Sequence, residues 1–89
     1  MQKTAEPVKN TAELGRLLRA HRKAQGLLQV DAAALAGVGE RFLSELERGK
    51  TTAEIGLVFK VIERFGLTLT LSARGPSGLA SPDDKSGLS

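Results

Sequence analysis

Apolar residues recur at helical spacing from the eleventh residue onward. Asn10 and Glu13 have the spacing of a capping box, which places the start of a helix at Thr11. Gly26 is the type of residue that commonly follows a last helical turn. The pattern therefore predicts a first helix over residues 11–25, whose apolar positions are Leu14, Leu17, Leu18 and Ala24.

A glycine-containing break separates two further helical segments. The first, residues 28–36, is rich in alanine and has Asp31 near its start, where an acidic side chain suits the helix dipole. Gly37 and Gly39 interrupt the pattern, which resumes at Glu40 and stops before Gly49. We expect a short helix 2 over 28–36 and, after a tight turn, helix 3 over 40–48.

A fourth helix is predicted to end at Gly66. Thr51 and Glu54 again have capping-box spacing, which would open the helix at this point. Its predicted apolar side consists of Ile55, Val58, Phe59, Ile62 and Phe65, widened by Leu57 and Val61.

Residues 67–72 alternate strictly between leucine and small polar residues, which is typical of a β-strand. A lone strand leaves its backbone groups unpaired, so the same strand of a second subunit is the expected partner. The sequence therefore predicts a homodimer with a dimerisation strand formed by Leu67, Thr68, Leu69, Thr70 and Leu71.

Length and composition indicate one small domain. The chain has 89 residues and no cysteine, so neither disulfides nor a thiolate metal site can stabilise it. We expect a flexible segment over 1–10, the domain over 11–72, and a disordered tail over 73–89, where Gly, Pro, Ser and Asp dominate. No apolar run approaches the ~18 residues of a membrane span, which favours a cytoplasmic protein without membrane contact.

The charge pattern draws attention to helix 3. A net charge of +3 is compatible with a polyanionic partner but does not establish one. Three short helices with a glycine turn form the helix-turn-helix arrangement, which lays one helix in a major groove. Leu43 and Leu46 fall on one side of helix 3, and the other side carries Arg41, Ser44, Glu45 and Arg48. This polar side is either a DNA-reading face or an ordinary solvated face.

Two residues beside helix 3 favour DNA binding. Gly39 removes a side chain where a DNA backbone would approach, and Gln29 opens helix 2 near the same entrance. Gly39 is equally compatible with a simple turn residue, and Gln29 with a solvated polar side chain.

Arg22 and Glu47 project from apolar helix faces. Arg22 continues the stripe of Leu14 and Leu18, and Glu47 lies beside Leu46. We expect a buried ion pair between them, since the arginine fork can hold a carboxylate through two hydrogen bonds. The alternative is Arg22 as a phosphate contact with Glu47 in solvent.

Catalytic, metal and cofactor sites are not predicted. His21 is the only histidine and is expected on the surface among cations. Gly37 and Gly39 begin a dinucleotide fingerprint, yet Phe42 stands where its third glycine belongs and no strand precedes it. We therefore expect no enzyme.

The sequence resembles the Cro/C1-type, or XRE-like, helix-turn-helix family. The resemblance covers about residues 14–67 and rests on the glycine turn and the leucines of helix 3, that is, on Gly26, Leu27, Leu28, Gln29, Ala33, Leu35, Ala36, Gly37, Val38, Leu43, Leu46, Glu47, Arg48, Gly49 and Lys50. It implies an all-α, lambda-repressor-like bundle of four or five helices, a recognition helix over 39–48, and a buried pair between Arg22 and Glu47.

Within the family, the threonine-rich strand after helix 4 resembles the HipB antitoxins, which pair C-terminal strands across a dimer and bind HipA-type kinase toxins. The resemblance implies base contacts by Gly39, Glu40, Arg41 and Glu45, and phosphate contacts by Gln29, Ser44, Arg48 and Lys50. The chain departs from the family at four positions, Leu28, Ala32, Ala36 and Phe42. Phe42 would either touch a thymine methyl or, as we favour, fill space left by the alanines.

Three functions follow as hypotheses. The first is a repressor that binds an inverted-repeat operator and acts as the antitoxin of a HipA-like kinase. The second is a phage or orphan regulator with the same architecture and no toxin. The third is a protein-binding adaptor with little DNA binding, which the acidic residues Glu40 and Glu45 favour because they would face phosphates.

Overall fold

The computed structural model describes residues 6–74 and contains four α-helices in that range. They are α1 (Thr11–Ala24), α2 (Gln29–Ala36), α3 (Glu40–Glu47) and α4 (Ile55–Arg64). The predicted all-α class and helix-turn-helix order are confirmed. Among the described residues, no helix combines the length and apolar character needed to cross a membrane.

The start of α1 agrees with the sequence pattern. The Oδ1 atom of Asn10 accepts a hydrogen bond of 2.8 Å from the backbone N–H of Glu13. The Glu13 carboxylate reaches back one residue further than a standard capping box and accepts from the N–H of Lys9 at 2.9 Å. Ala24 is exposed, so the buried stripe of α1 continues through Arg22 instead of Ala24.

The start of α4 was predicted wrongly from the capping-box spacing at Thr51. Residues 51–54 lie outside the helix, and Glu54 is itself the N-cap. The Oε1 atom of Glu54 accepts from the N–H of Leu57 at 3.0 Å. Because this carboxylate satisfies a first-turn donor, the helix begins at Ile55 and needs no cap from Thr51.

The core lies between the four helices. Its buried apolar residues are Leu18, Ala32, Ala33, Ala36, Leu43, Leu46, Val58, Val61, Ile62 and Phe65. Helix α3 packs against both α1 and α2, and α4 packs against α2. The predicted apolar side of α4 was too wide, since Ile55 and Phe59 are 63% and 49% exposed at the edge of the buried arc.

The chain after α4 has no regular secondary structure in the described range, so the predicted strand is not seen in the single subunit. Gly66 has a φ of +78°, and the N–H of Leu67 donates to the carbonyl of Ile62 at 3.0 Å, which closes the helix. Residues 67–74 form neither helix nor strand within the described chain. Residues 6–10 are exposed, whereas 1–5 and 75–89, with most of the predicted tail, lie outside the described residues.

Candidate nucleic-acid interface

Helix α3 has one buried face and one open face. Leu43, Leu46 and Glu47 are buried between α1 and α2. On the other side, Arg41 and Arg48 are exposed, and Ser44 and Glu45 are half-buried. The structure therefore presents the four outer residues of the sequence pattern together, with Glu40 exposed at the first position of the helix.

A glycine of α1 sets the position of the C-terminal end of α3. A Cβ atom at Gly15 would lie 2.4 Å from the carbonyl oxygen of Leu46 and 2.5 Å from that of Glu47. Any larger residue would push the two helices apart. Sequence reasoning missed Gly15, because a glycine inside a helical pattern gives no sign of which backbone approaches it.

The turn between α2 and α3 uses its two glycines differently. Gly37 has a φ of +74° and closes α2 in the left-handed conformation, which glycine adopts readily. Gly39 has a φ of −72°, and a Cβ atom there would meet no other atom within 4 Å. Gly37 is thus the turn glycine, and neither backbone strain nor internal packing requires glycine at position 39.

Arg22 and Glu47 form a buried ion pair with two hydrogen bonds. The Nε and Nη2 atoms of Arg22 donate to Oε2 and Oε1 of Glu47 at 2.7 and 2.9 Å. The Nη1 atom donates to the carbonyl of Leu27 at 2.7 Å. The Glu47 side chain is only 1% exposed, so it is not in solvent. The pair joins α1, the loop before α2, and α3.

The ion pair keeps both groups charged. Burial acts to raise the pKa of Glu47, but hydrogen bonds from Arg22 and Gln29, together with the positive charges of Arg22 and Arg19, lower that pKa below its ordinary value. The hydrogen bond to Glu47 raises the pKa of Arg22, against the opposing effect of burial. Each group therefore stays charged in the interior because the other compensates its loss of hydration.

Gln29 connects this pair to the open side of the domain. Its Nε2 atom donates to Oε1 of Glu47 at 3.0 Å, and the residue is half-buried at the first position of α2. The preceding N-cap residue, Leu28, supplies no side-chain hydrogen bond to the first turn. The sequence did not reveal that Gln29 shares the carboxylate of Glu47, since the two residues are 18 positions apart.

Glu45 lies between two cations. Its Oε2 atom accepts from the Nε of Arg41 at 3.2 Å, and its Oε1 atom accepts from the Nζ of Lys50 at 2.9 Å. Hydrogen bonds from Lys50 and then Arg41 lower the pKa of Glu45 below its ordinary value. The carboxylate is therefore charged at neutral pH and neutralised by its neighbours.

Two other side chains have internal roles. Phe42 is half-buried and packs against the core, which favours the space-filling role over contact with thymine. His21 is not a free surface residue as expected from the sequence. Its Nε2 atom lies 2.9 Å from the carbonyl oxygen of Phe65, and the two rings are stacked with centroids 6.2 Å apart.

Comparison with known proteins identifies the family. The helix-turn-helix family model matches residues 18–71. An uncharacterised HTH-type transcriptional regulator, y4mF, of Sinorhizobium fredii is 44% identical over 71 residues, which cover 80% of this chain and 93% of the relative. The chain belongs to the Cro/C1-type, XRE-like family of helix-turn-helix transcriptional regulators.

Solved structures with the same fold include complexes of HipB. A HipB–O4 20mer complex and a HipA–HipB–O2–O3 complex each match with a TM-score of 0.72 and 18% identity. Each match covers 79% of this chain and 99% of the HipB-like chain. The regulator is thus structurally like HipB.

Proposed function

We propose that this regulator is a dimeric repressor that places α3 of each subunit in the major groove of an inverted-repeat operator. The observation that carries the proposal is the division of α3 into a buried face and an open face of Arg41, Ser44, Glu45 and Arg48. An α-helix fits the major groove, where such side chains can read base edges.

The outer residues divide into two groups by their proposed targets. Residues at the head and centre of α3 read bases, namely Gly39, Glu40, Arg41 and Glu45. Residues around this surface hold phosphates, namely Gln29, Ser44, Arg48 and Lys50. The open space at Gly39 supports close approach of DNA, since its glycine serves no internal purpose. The side-chain amide of Gln29 has two N–H donors, and one of them donates to Glu47. The other is available for a phosphate oxygen.

The proposed dimer forms through residues 67–72. Leu69 and Leu71 are 46% and 93% exposed, which leaves both side chains available for pairing with a second copy. Ile55 and Phe59 on α4 are also apolar and exposed, and we include them among the side chains that a partner subunit would cover. Two-fold symmetry would then present two α3 helices about 34 Å apart.

The proposed protein partner is a HipA-like kinase toxin. The fold shared with a HipA–HipB–O2–O3 complex supports this partner. Co-expression with a HipA-like kinase encoded beside this regulator tests it. Co-purification of the two proteins is the expected result, and complete separation on a sizing column would leave a regulator without a toxin.

DNA binding is tested by comparing Arg41→Ala with Lys50→Ala on a randomised duplex library. Arg41→Ala should relax the preference at one base position per half-site, because a good base contact contributes about 1–3 kcal/mol of discrimination. Lys50→Ala should weaken all sequences alike and reduce the salt dependence of binding by about one phosphate contact. Binding that is independent of salt would contradict the proposal.

Dimerisation is tested in the full chain by replacing Leu69 and Leu71 together with aspartate. Light scattering should show a monomer with unchanged helical circular dichroism, since both side chains lie outside the core. If the double variant forms a dimer as stable as that of the parent, the interface lies on another surface.

A further inference from the structure

Both oxygens of the Glu45 carboxylate already accept hydrogen bonds in the DNA-free protein. One of its oxygens accepts from Arg41 and the other from Lys50, at 3.2 and 2.9 Å. The Glu45 side chain is 25% exposed, whereas that of Arg41 is 90% exposed. Glu45 therefore sits beneath the arginine and holds it from the protein side.

The atom of Arg41 that Glu45 holds determines which atoms remain free. Glu45 binds Nε, and the two terminal amino groups of Arg41 have no partner among residues 6–74. These amino groups form a planar pair of donors, which suits the O6 and N7 acceptors of guanine in the major groove. The bond at Nε thus directs the reading edge of Arg41 outward.

The same contact restrains the non-selective attraction of both cations to DNA. Lys50 and Arg41 would each bind phosphates of any sequence, but an ionised carboxylate already neutralises part of their charge. DNA must compete with Glu45 for these cations. At a non-cognate site only phosphate contacts replace the contacts with Glu45, so the net gain in binding free energy is smaller than at a cognate site.

We propose that Glu45 is a positioning residue that sets sequence selectivity by orienting Arg41 and by withholding Arg41 and Lys50 from indiscriminate phosphate binding. This inference rests on the proposed function and refines it. For Glu45 it replaces the direct base contact named under the proposed function with a role exerted through Arg41.

The test compares the full-length parent with Glu45→Gln, which keeps the shape of the side chain and removes its charge. The probes are a random-sequence duplex of about 20 base pairs and the duplexes that the parent selects from a randomised library. Glu45→Gln should bind the random duplex about threefold to tenfold more tightly, as expected for the release of two surface ion pairs. The ratio of selected to random affinity should fall.

Selection with the variant reveals how Glu45 acts. Loss of preference at the base position that Arg41→Ala also relaxes is the expected result. A changed preference at a different position would overturn the proposal and make Glu45 a direct base contact. Unchanged selectivity and unchanged random-duplex affinity would also overturn it.

A second comparison separates the proposed role from simple charge repulsion. In a chain that already carries Arg41→Ala and Lys50→Ala, Glu45→Gln should no longer raise affinity for the random duplex. A persistent increase would mean that Glu45 acts only as a negative charge near DNA. Glu63→Gln, an exposed position of α4, controls for net charge. Failure of the parent to bind either probe would instead contradict the proposed function itself.

Discussion

Two glutamates of α3, two residues apart, hold their cations in opposite surroundings. Glu47 is 1% exposed and accepts hydrogen bonds from Arg22 and Gln29. Glu45 is 25% exposed and accepts from Arg41 and Lys50. Because burial removes water as an alternative partner, the first contact fixes the position of the helix. The second contact remains open to exchange with a ligand.

The largest difference between the two sites should appear on truncation. Glu47→Ala leaves the Arg22 guanidinium buried without its anion, so the free energy of unfolding should fall by about 3–5 kcal/mol. Glu45→Ala should leave the urea midpoint almost unchanged, because water replaces its exposed contacts. A parent-like midpoint for Glu47→Ala would show that the buried pair does not stabilise the fold.

The close contact between α1 and the end of α3 should show the next largest loss of stability on substitution. Gly15→Ala places a methyl group against the carbonyls of Leu46 and Glu47, and should cost about 1–3 kcal/mol. Gly56→Ala is the matched control, since its added Cβ would lie near the Glu54 side chain, at 3.1 Å from Oε2, and not against backbone carbonyls. Its stability should hold or rise slightly through better helix propensity. Equal melting temperatures for both variants would contradict the close approach of α1 and α3.

Acid should affect the buried site through the lowered pKa of Glu47. In the unfolded chain a glutamate titrates near pH 4.3, so the ion pair contributes fully well above that pH. Its contribution is lost as the pH falls through the lower pKa of the folded state. The free energy of unfolding of the parent, measured in urea, should therefore fall more steeply below about pH 5 than that of Glu47→Gln. Parallel curves would refute the assignment.

The smallest expected effect is the response to salt. The pKa of Glu45, followed by carbon-detected NMR, should move toward its ordinary value in about 1 M salt, because the Debye length shortens to about 3 Å. The lowered pKa of Glu47 should persist, since its partners are buried with it. A shift of the same size at both residues would remove the distinction between them.

The sequence could predict those features that repeat with a helical period. The stripe of α1 led to Arg22, and the position of Glu47 beside Leu46 suggested its partner. The outer face of α3 followed from the same spacing. The faces of the helices could be predicted because each depends only on spacing within one helix, and the Arg22–Glu47 pair followed because each of these charges lies on an apolar face.

Features that depend on contact between distant segments could not be predicted in the same way. Gly15 is required by carbonyls more than 30 positions away, and Gln29 shares a carboxylate with a residue of another helix. Glu54, and not Thr51, caps α4. The choice of cap depends on the backbone conformation of the folded loop, which residue spacing alone does not give. The proposed strand needs a second chain.

The two-sided construction of α3 has an evolutionary consequence. Substitutions at Arg41 or Arg48 alter exposed side chains, whereas Leu43 and Leu46 are buried in the core. A duplicated gene could therefore acquire a new target sequence through a few codon changes and inherit its folding unaltered. Divergence among such paralogues should concentrate at every third or fourth position of this single helix.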